Sequence, residues 1–319
     1  MEILPGVHCI ESVHKHRLLR SYLLVGEQVL LVDSGFPYTA EETILPYVDR
    51  EGVPVKQIDW LVITHASADH YGGNHAIKRR FPMAKIVAHE LDADSIARHD
   101  AFVREHVDVL EEYEFAFSGV RSDDPEFLRL HGPEVQVDWK VHGGEQINLG
   151  DGWIVTFLHA AGHTPGHLIL YDARHEIVFA GDALMGDGIP DVNGKLVMPP
   201  HYFEVDWYLE TIAKVRALNP QYILATHYES MTGSAVMRFL ELSEAFVVQC
   251  DRAVVDILES SREPLSSAAV VAALRDRVGI PGADYQYGLL ARAHLRRLLR
   301  QGRVLLVSGE DGNTWSLVS

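Results

Sequence analysis

The sequence is poor in features that define several classes of protein. It has only two cysteines, Cys9 and Cys250, far apart along 319 residues, so a reducing cytoplasm is favoured over a disulfide framework. No apolar stretch approaches the roughly 18 residues that a membrane span needs. The N-terminal residues MEILPGVHCIES lack the basic start and the long apolar segment of a signal peptide. We therefore predict a cytoplasmic protein that makes no contact with membranes.

Positive charge is also scarce. Lysine and arginine number 28 against 45 aspartates and glutamates, and the net charge of −17 argues against a general nucleic-acid surface. The acidity is uneven, because residues 246–319 carry a net charge of +1 and the rest of the chain carries −18. Hydrophobic residues make up 47% of the chain, which is ordinary for a globular protein with a proper core. The length favours one large domain, or one large domain and one small.

Most of the chain alternates between strand and helix patterns. SYLLVGEQVLLVDSG (21–35) predicts two strands around a turn, and IDWLVITH and AKIVAHE predict two more. TAEETILPYVDREG and YGGNHAIKRRFP have helical spacing, and VDWYLETIAKVRALNPQYILATH predicts a helix followed by a buried strand. Alternating strands and helices with compact connections predict the α/β class.

Two segments depart from this alternation. Residues 91–140 have apolar residues at helical intervals and no strand signal, so we expect a helical insertion that either caps a site or forms an oligomer surface. From residue 246 onward the pattern is two helices and a hairpin turned at GEDGN, which resembles a winged helix. We predict a main domain over residues 1–245 and a small subdomain over residues 246–319.

Histidines and aspartates cluster where predicted strands end. THASADHYGG follows the apolar run WLVI, AGHTPGH is a Gly/Pro turn, and FAGDAL and LATHYES each follow a buried strand. α/β folds place their chemistry at strand ends, and imidazole and carboxylate are the donors that Zn²⁺ and similar ions prefer. The candidate ligands are His65, Asp69, His70, His163, Asp182 and His227.

These motifs, in this order, resemble the metallo-β-lactamase-fold hydrolases of the glyoxalase II-like kind, over about residues 5–240. The resemblance implies a four-layer αββα sandwich that holds one or two metal ions at one edge. It assigns His65, position 67 and His163 to a first metal site, Asp69, His70 and His227 to a second, and Asp182 to both. It also implies that Asp33 in LVDSG orients ligands, and we interpret His167 as a supporting residue.

The sequence departs from the family at position 67, where the family has a third histidine. A serine hydroxyl is a weak ligand and lies closer to its own backbone than an imidazole nitrogen does. We therefore expect a weakened first site and an intact second one. Ser67 either holds a water where the histidine would bind or merely fills space, and His159 is a candidate to help the weakened site.

A bound ion of this kind lowers the pKa of its water to about 7, which makes a hydroxide nucleophile at neutral pH. With Asp69 holding that water, we predict hydrolysis of a small-molecule ester, lactone, thioester or amide. Zn²⁺ is the favoured ion, with iron or manganese as alternatives. Substrate contacts are expected from His201, Tyr202, Phe203 and Tyr228. The alternative is a metal-poor binding or regulatory protein on a hydrolase scaffold.

The arginine-rich segment RAHLRRLLRQGR is interpreted as a solvated face or an interface, because the acidic remainder of the chain opposes nucleic-acid binding. We predict no nucleic-acid partner and leave homo-oligomerisation open.

Overall fold

The computed structural model describes residues 1–50, 55–113, 121–309 and 312–318. One sheet contains the first seven strands in chain order. They are β1 (Glu2–Leu4), β2 (Val7–His14), β3 (Arg17–Val25), β4 (Val29–Val32), β5 (Trp60–Val62), β6 (Lys85–His89) and β7 (Trp139–Val141). The first four strands are antiparallel to their neighbours, whereas β4 to β7 run parallel.

A second sheet has six strands in the order β15-β14-β11-β10-β9-β8. They are β8 (Gln146–Asn148), β9 (Ile154–His159), β10 (Leu168–Asp172), β11 (Ile177–Gly181), β14 (Tyr222–Ala225) and β15 (Met231–Thr232). Only β11 and β14 pair in parallel in this sheet, within the described residues. A separate short hairpin is formed by β12 (Ile189–Pro190) and β13 (Leu196–Met198).

Helices connect the strands. They are α1 (Pro37–Thr39), α2 (Leu45–Arg50), α3 (Ala68–Tyr71), α4 (Asn74–Arg80), α5 (Glu90–Ala97), α6 (His99–Phe102), α7 (Pro125–His131), α8 (Val205–Leu218), α9 (Ser234–Ser260), α10 (Ser267–Val278) and α11 (Asp284–Arg300). π-helical turns at Ala40–Ile44 and Val103–Val107 and a 3₁₀ segment at Asp108–Tyr113 complete the helical structure described. Among the described residues, no helix combines the length and the apolar character that a membrane span requires.

The two sheets pack face to face, and helices cover their outer faces. Val62 of β5 belongs to a cluster that also contains Phe157 and Phe179 of the second sheet. Its neighbour Leu61 belongs instead to a cluster that includes Ile77 of α4. Alternate side chains of a strand point to opposite faces, so strands buried on both faces need a layer on each side. On the other side, strand residues of the second sheet pack with residues of α8 and α9. The α/β prediction is confirmed, and the layers follow the order αββα.

The segment 91–140 is mainly helical where it is described, since α5, α6 and α7 lie within or across its bounds. Residues 114–120 lie outside the described part of the chain. The prediction missed β7, which begins at Trp139. This strand has three residues and pairs with β6 at the edge of the described sheet, so it is too short to produce a periodic signal in the sequence.

The region after residue 246 contains α10, α11 and a three-stranded sheet of β16 (Leu265–Ser266), β18 (Gly312–Leu317) and β17 (Val304–Gly309). The turn residues 310 and 311 lie outside the described part. The change of composition at 246 falls inside α9, which continues from Ser234 to Ser260. Leu290 and Trp315 pack in the same apolar cluster as Ile223 of the second sheet. The division into two domains stays a prediction.

The arginines of α11 are paired within the chain. Arg296 and Arg300 contact Glu204 at 3.0 and 2.8 Å, just before α8 begins. Arg297 contacts Asp206 at 2.9 Å and also pairs with Asp251 of α9. The basic helix is therefore an internal interface that matches the acidic surface of the preceding region.

Candidate metal centre

The six candidate ligands follow strand ends and meet at one edge of the sandwich. His65 lies in the loop after β5, Asp69 and His70 lie in the short helix α3 that follows, and the turn between β9 and β10 carries His163. Asp182 comes directly after β11, and His227 lies two residues beyond β14. The ligand atoms of His65, His163 and Asp182 lie within 4.8 Å of one another, and so do those of Asp69, His70 and His227. The structure thus brings all six together in two groups, called here the His65 group and the His70 group.

Hydrogen bonds fix the histidine tautomers. Nδ1 of His163 lies 2.9 Å from the carbonyl oxygen of His201, and Nδ1 of His227 lies 2.8 Å from that of Leu18. Because carbonyl oxygens only accept, each Nδ1 donates its proton and each Nε2 keeps a free lone pair. A histidine that donates through one ring nitrogen and presents the other is oriented for a metal ion.

Asp33 accepts hydrogen bonds that fix the segment after β5. Its Oδ1 accepts the backbone N–H of Thr64 at 2.8 Å, and its Oδ2 accepts the Thr64 hydroxyl at 2.9 Å. The same Oδ2 lies 2.8 Å from Nδ1 of His70. Nε2 of His70 is thereby turned towards Asp182, whose Oδ2 is 3.6 Å away. Asp33 has the orienting position that the family resemblance implied.

Several potential metal-ligand atoms in the two groups have no hydrogen-bond partner. Nε2 of His65, Nε2 of His70 and Oδ1 of Asp182 are all buried and unpaired. An unsatisfied buried polar group costs about 1–3 kcal/mol, so three of them at one edge of the fold require an explanation. Divalent cations held by the two groups would satisfy all three. The donor set, nitrogen from histidine and oxygen from aspartate, fits such an ion.

The pKa shifts of Asp69 and His65 agree with this. Burial alone would raise the pKa of Asp69, but His70 and His227 lower it to about 2, so the carboxylate is ionised at neutral pH. Burial lowers the pKa of His65 well below its ordinary value, and the neighbouring histidines lower it further. An ionised carboxylate and a neutral imidazole are the forms that bind metal ions. Burial would lower the pKa of His70, but Asp33 and Asp182 raise it well above its ordinary value, so a metal ion bound at His70 would displace a proton.

Ser67 has a role that neither expectation included. Its hydroxyl donates to Oδ1 of Asp69 at 2.7 Å, in the His70 group. The other oxygen of Asp69, Oδ2, lies 3.5 Å from Nε2 of His227. Ser67 is extended, with φ −141° and ψ 142°, and immediately precedes α3. The residue that replaces a ligand of the first site therefore orients a ligand of the second.

Two other histidines lie beside the groups. Nε2 of His167 accepts the backbone N–H of Asp182 at 3.1 Å, and its ring stacks on His65 at 4.6 Å. His167 thus supports both ligands, as interpreted from the sequence. His159 belongs to neither group, because its Nε2 faces the carbonyl oxygen of Pro165 at 2.8 Å and its ring stacks on His89. The suggestion that His159 helps the weakened site is not supported by this position.

A cavity of about 610 Å³ opens above the two groups. Its polar floor includes Asp69, His163, Asp182 and His227. The helical insertion lines one part of the wall, and β12, β13 and α11 line another part. Apolar and aromatic lining residues include Phe102, Phe127, Leu130, Ile189, Met198 and Leu289. Since the insertion lines the cavity, its position favours the expectation of a cap over the site.

The predicted substrate contacts are only partly placed at this cavity. His201 and Phe203 line it. Tyr202 does not, because its ring is fully buried against Tyr208 and its hydroxyl lies 2.8 Å from Nε2 of His294. Tyr228 does not either, because its hydroxyl donates to the carbonyl oxygen of Met185 at 2.6 Å. The structure does not place Tyr202 and Tyr228 at the cavity, since both hydroxyls are satisfied inside the apolar packing around α8 and α9.

Sequence reasoning missed Asp92 of α5. This fully buried carboxylate accepts the N–H of Ala66 at 3.0 Å, the Thr164 hydroxyl at 2.6 Å and the N–H of Gly166 at 2.6 Å. It therefore joins the loop after β5 to the turn that carries His163. A Cβ atom on Gly166 would lie 2.5 Å from Oδ1 of Asp92, so glycine is required for this close approach. The available signal was an aspartate three residues after β6, in the first turn of α5.

Comparison with known proteins agrees with this geometry. Residues 20–227, more than half of the chain, match the model of the Metallo-beta-lactamase superfamily. The chain belongs to the metallo-β-lactamase superfamily. This assignment confirms the predicted class of enzyme, a hydrolase of that superfamily.

Curated relatives are similar over part of the chain. The uncharacterized protein YobT of Bacillus subtilis is 27% identical over 55% of this chain and 66% of its own length. The human acyl-coenzyme A thioesterase MBLAC2 is 31% identical over 41% of this chain and 43% of its own length. The hydroxyacylglutathione hydrolase of Aeromonas salmonicida is 25% identical over 45% of this chain and 40% of its own length. The match thus spans less than two thirds of each of these relatives.

Solved structures are similar over nearly the whole chain. A metallo-β-lactamase family protein of Thermus thermophilus has a TM-score of 0.76 and 19% identity, covering 99% of this chain and 100% of its own. A β-lactamase domain protein of Burkholderia ambifaria has a TM-score of 0.73 and 17% identity, covering 100% and 93%. At these identities the likeness shows the fold alone, including the region after residue 246.

Proposed function

We propose that this hydrolase is metal-dependent and cleaves the acyl bond of small-molecule thioesters or related esters. The observation that carries the proposal is the set of unpaired, buried ligand atoms on His65, His70 and Asp182, of which Asp182 lines the cavity. A structural histidine cluster would have its ring nitrogens satisfied by the protein, as His163 and His227 have on their Nδ1 side.

The residues of the His70 group, together with Asp182, would hold the tightly bound ion. When bound, such an ion supplies a hydroxide at neutral pH and polarises a carbonyl oxygen. We propose Zn²⁺, with iron or manganese as alternatives, because the donors are histidine nitrogens and carboxylate oxygens. The His65 group, with one histidine fewer than the family pattern, would hold a second ion weakly.

Asp69 would position the attacking water. The carboxylate is ionised, and the hydrogen bond from Ser67 engages Oδ1. Oδ2 remains to accept a hydrogen bond from water on the side of the cavity where His227 and Asp182 lie. A general base is effective when it is fixed within hydrogen-bond reach of the proton that it accepts.

The cavity suits an acyl substrate. Its volume lies within the roughly 300–1,000 Å³ of small-molecule sites, and much of its wall is apolar. Phe102 and Phe127 of the insertion and Phe203 before α8 provide surface for a hydrocarbon chain. Two of the similar proteins are named an acyl-coenzyme A thioesterase and a hydroxyacylglutathione hydrolase. An acyl group is common to both, which supports an acyl-transfer substrate here.

We also propose a winged-helix-like C-terminal region, a cytoplasmic location and a small-molecule partner. The order β16, α10, α11, β17, β18 supports a winged-helix-like C-terminal region, and the pairing of its arginines with Glu204, Asp206 and Asp251 supports the absence of a nucleic-acid partner. Both cysteines are free and buried, which supports a reducing cytoplasm. A small molecule is the proposed partner, and homo-oligomerisation is left to measurement.

The test uses protein purified without a chelating column. Elemental analysis should find at least one tightly held divalent ion per chain. Acyl-coenzyme A, S-acylglutathione, a lactone and an amide with matched acyl groups should then be assayed for hydrolysis. We expect turnover of the thioesters, and loss of both metal and turnover by more than about 100-fold in Asp182→Ala.

The control is Asp187→Ala, an exposed aspartate five residues further along the same loop. It should retain metal and activity. Absence of metal together with absence of hydrolysis in the whole panel would overturn the proposal and favour a metal-poor binding or regulatory protein.

A further inference from the structure

Arg17 brings a positive charge to the cavity. It is half-buried at the start of β3 and lines the same cavity as Asp69 and His227. Its Nη1 lies 3.6 Å from Sδ of Met198 in β13. Across residues 1–50, 55–113, 121–309 and 312–318, no carboxylate forms an ion pair with Arg17. Arg20, three residues further along, pairs with both Glu11 and Glu229. In a chain of net charge −17, a cavity-lining arginine without a carboxylate is informative.

The backbone that carries Arg17 is fixed. A two-residue turn joins β2 to β3, since His14 pairs directly with Arg17. The turn residues Lys15 and His16 both have positive φ, 46° and 71°, as in a type I′ turn, which usually contains glycine or asparagine. Such conformations persist where the surroundings determine them. Here the carbonyl oxygen of His16 accepts the N–H of Val192, between β12 and β13, at 2.7 Å.

The negative groups outside the metal-binding floor of the cavity are already engaged. Asp124 caps α7 by accepting the backbone N–H groups of Glu126 and Phe127. Glu126 accepts two hydrogen bonds from Arg129, both at 2.7 Å. These carboxylates therefore have partners other than Arg17, and Asp69 and Asp182 face the ligand histidines.

We propose that Arg17 binds a carboxylate or phosphate group of the acyl substrate at the rim, while the acyl bond reaches the ligand groups. This inference rests on the proposed function and names the charge of its substrate. A guanidinium offers a planar, permanently charged set of donors that matches both kinds of oxyanion. The turn fixes the backbone of Arg17 beside the cavity before the substrate arrives, which lowers the entropic cost of binding.

The kinetic test compares three thioesters that share one butyryl group. Butyryl-coenzyme A carries phosphates, S-butyrylglutathione carries carboxylates, and the butyryl thioester of N-acetylcysteamine is neutral. Arg17→Gln should raise KM for one or both charged substrates by about 10- to 100-fold, leave kcat nearly unchanged, and leave the neutral substrate unaffected. The charged substrate whose KM rises in Arg17→Gln shows whether Arg17 binds a phosphate or a carboxylate. Added salt should raise KM of the wild type for that substrate.

The matched control is Arg174→Gln. Arg174 lies between β10 and β11, at the end of β11 opposite Asp182, and approaches Asp151 rather than the cavity. It should behave as the wild type does with all three substrates. An equal change of KM for the charged and the neutral thioesters in Arg17→Gln would overturn the inference and leave the proposed function intact.

A second measurement needs no hydrolysis. Calorimetry should show that coenzyme A or glutathione, the product thiols, bind to the wild type and to Arg174→Gln and bind much more weakly to Arg17→Gln. Equal binding to all three proteins, or no binding to the wild type, would contradict the role of Arg17. Failure of the proposed function is a different result, in which no thioester is cleaved and no metal is found.

Discussion

The His65 group and the His70 group share one edge of the fold, but they are supported differently. In the His70 group, Asp33 holds His70, the carbonyl oxygen of Leu18 holds His227, and Ser67 holds Asp69. In the His65 group, His163 is held by a carbonyl oxygen, whereas position 67 supplies no ligand. The difference shows that Ser67 does not only leave the His65 group with one candidate ligand fewer. The same substitution that depletes one group adds an orienting hydrogen bond to the other.

The largest expected effect separates the two groups with a matched pair of variants. His227 and His163 are alike, because each donates through Nδ1 to a carbonyl oxygen and presents Nε2 to a group. His227→Ala should weaken the tightly bound ion by about 100-fold or more. His163→Ala should change the affinity for that ion by less than about 10-fold. Metal titration by calorimetry with a competing chelator measures both, and equal losses would remove the asymmetry that we propose.

The next prediction is a gain of affinity for a second metal ion. Ser67→His should supply a third nitrogen to the His65 group, because the family resemblance implies a histidine at this position and Ser67 lines the cavity beside His163 and Asp182. A second ion should then bind tightly, and added metal should raise the melting temperature more than it does in the wild type. If calorimetry finds no gain in affinity for a second ion, the loop has been rebuilt around the serine.

A third effect concerns stability rather than metal. Asp92 joins the loop of His65 to the turn of His163, and it accepts three hydrogen bonds while fully buried. Asp92→Asn places amide hydrogens where two backbone donors and one hydroxyl point, and it should cost about 3 kcal/mol in the free energy of unfolding. Urea denaturation measures this cost.

The control for Asp92 is Asp94→Asn, on the same helix. Asp94 is exposed and forms surface ion pairs with Lys140 and Arg98, so its loss should cost less than about 1 kcal/mol. Because Asp92 connects both loops of the His65 group, Asp92→Asn should also weaken the second, loosely bound ion more than the first. A cost equal to that of Asp94→Asn would mean that the two loops are held by other contacts.

The sequence predicted the parts of the site that depend on strand ends. His65, Asp182 and His227 each follow a buried strand, and the edge of a sheet is where such positions meet. The family motifs then grouped the ligands as the structure groups them. The α/β alternation likewise predicted β3 to β6 and α8, because these elements carry strong periodic patterns.

The parts that escaped prediction depend on distant or directional contacts. Asp92 lies 26 residues from Ala66 and 74 from Gly166 in the chain, and no local pattern connects them. Tyr202 and Tyr228 lie in loops near the site, but the side to which an aromatic ring turns is decided by packing against α8 and α9. The hydrogen bond of Ser67 depends on the backbone angle at which α3 begins.

The smallest effect isolates that hydrogen bond. Ser67→Ala removes the donor to Oδ1 of Asp69 without adding a ligand, so it separates the two consequences that Ser67→His combines. Loss of a supporting hydrogen bond to a metal ligand typically weakens the ion by about 10-fold or somewhat more. We therefore expect a loss of about 10-fold at the tight site in Ser67→Ala, with no change at the weak one. Ser95→Ala is the control, because Ser95 also donates to a carboxylate, that of Glu105, away from both groups. Wild-type affinity in Ser67→Ala would show that the serine only fills space, and the contrast between the groups would then rest on the number of ligands alone.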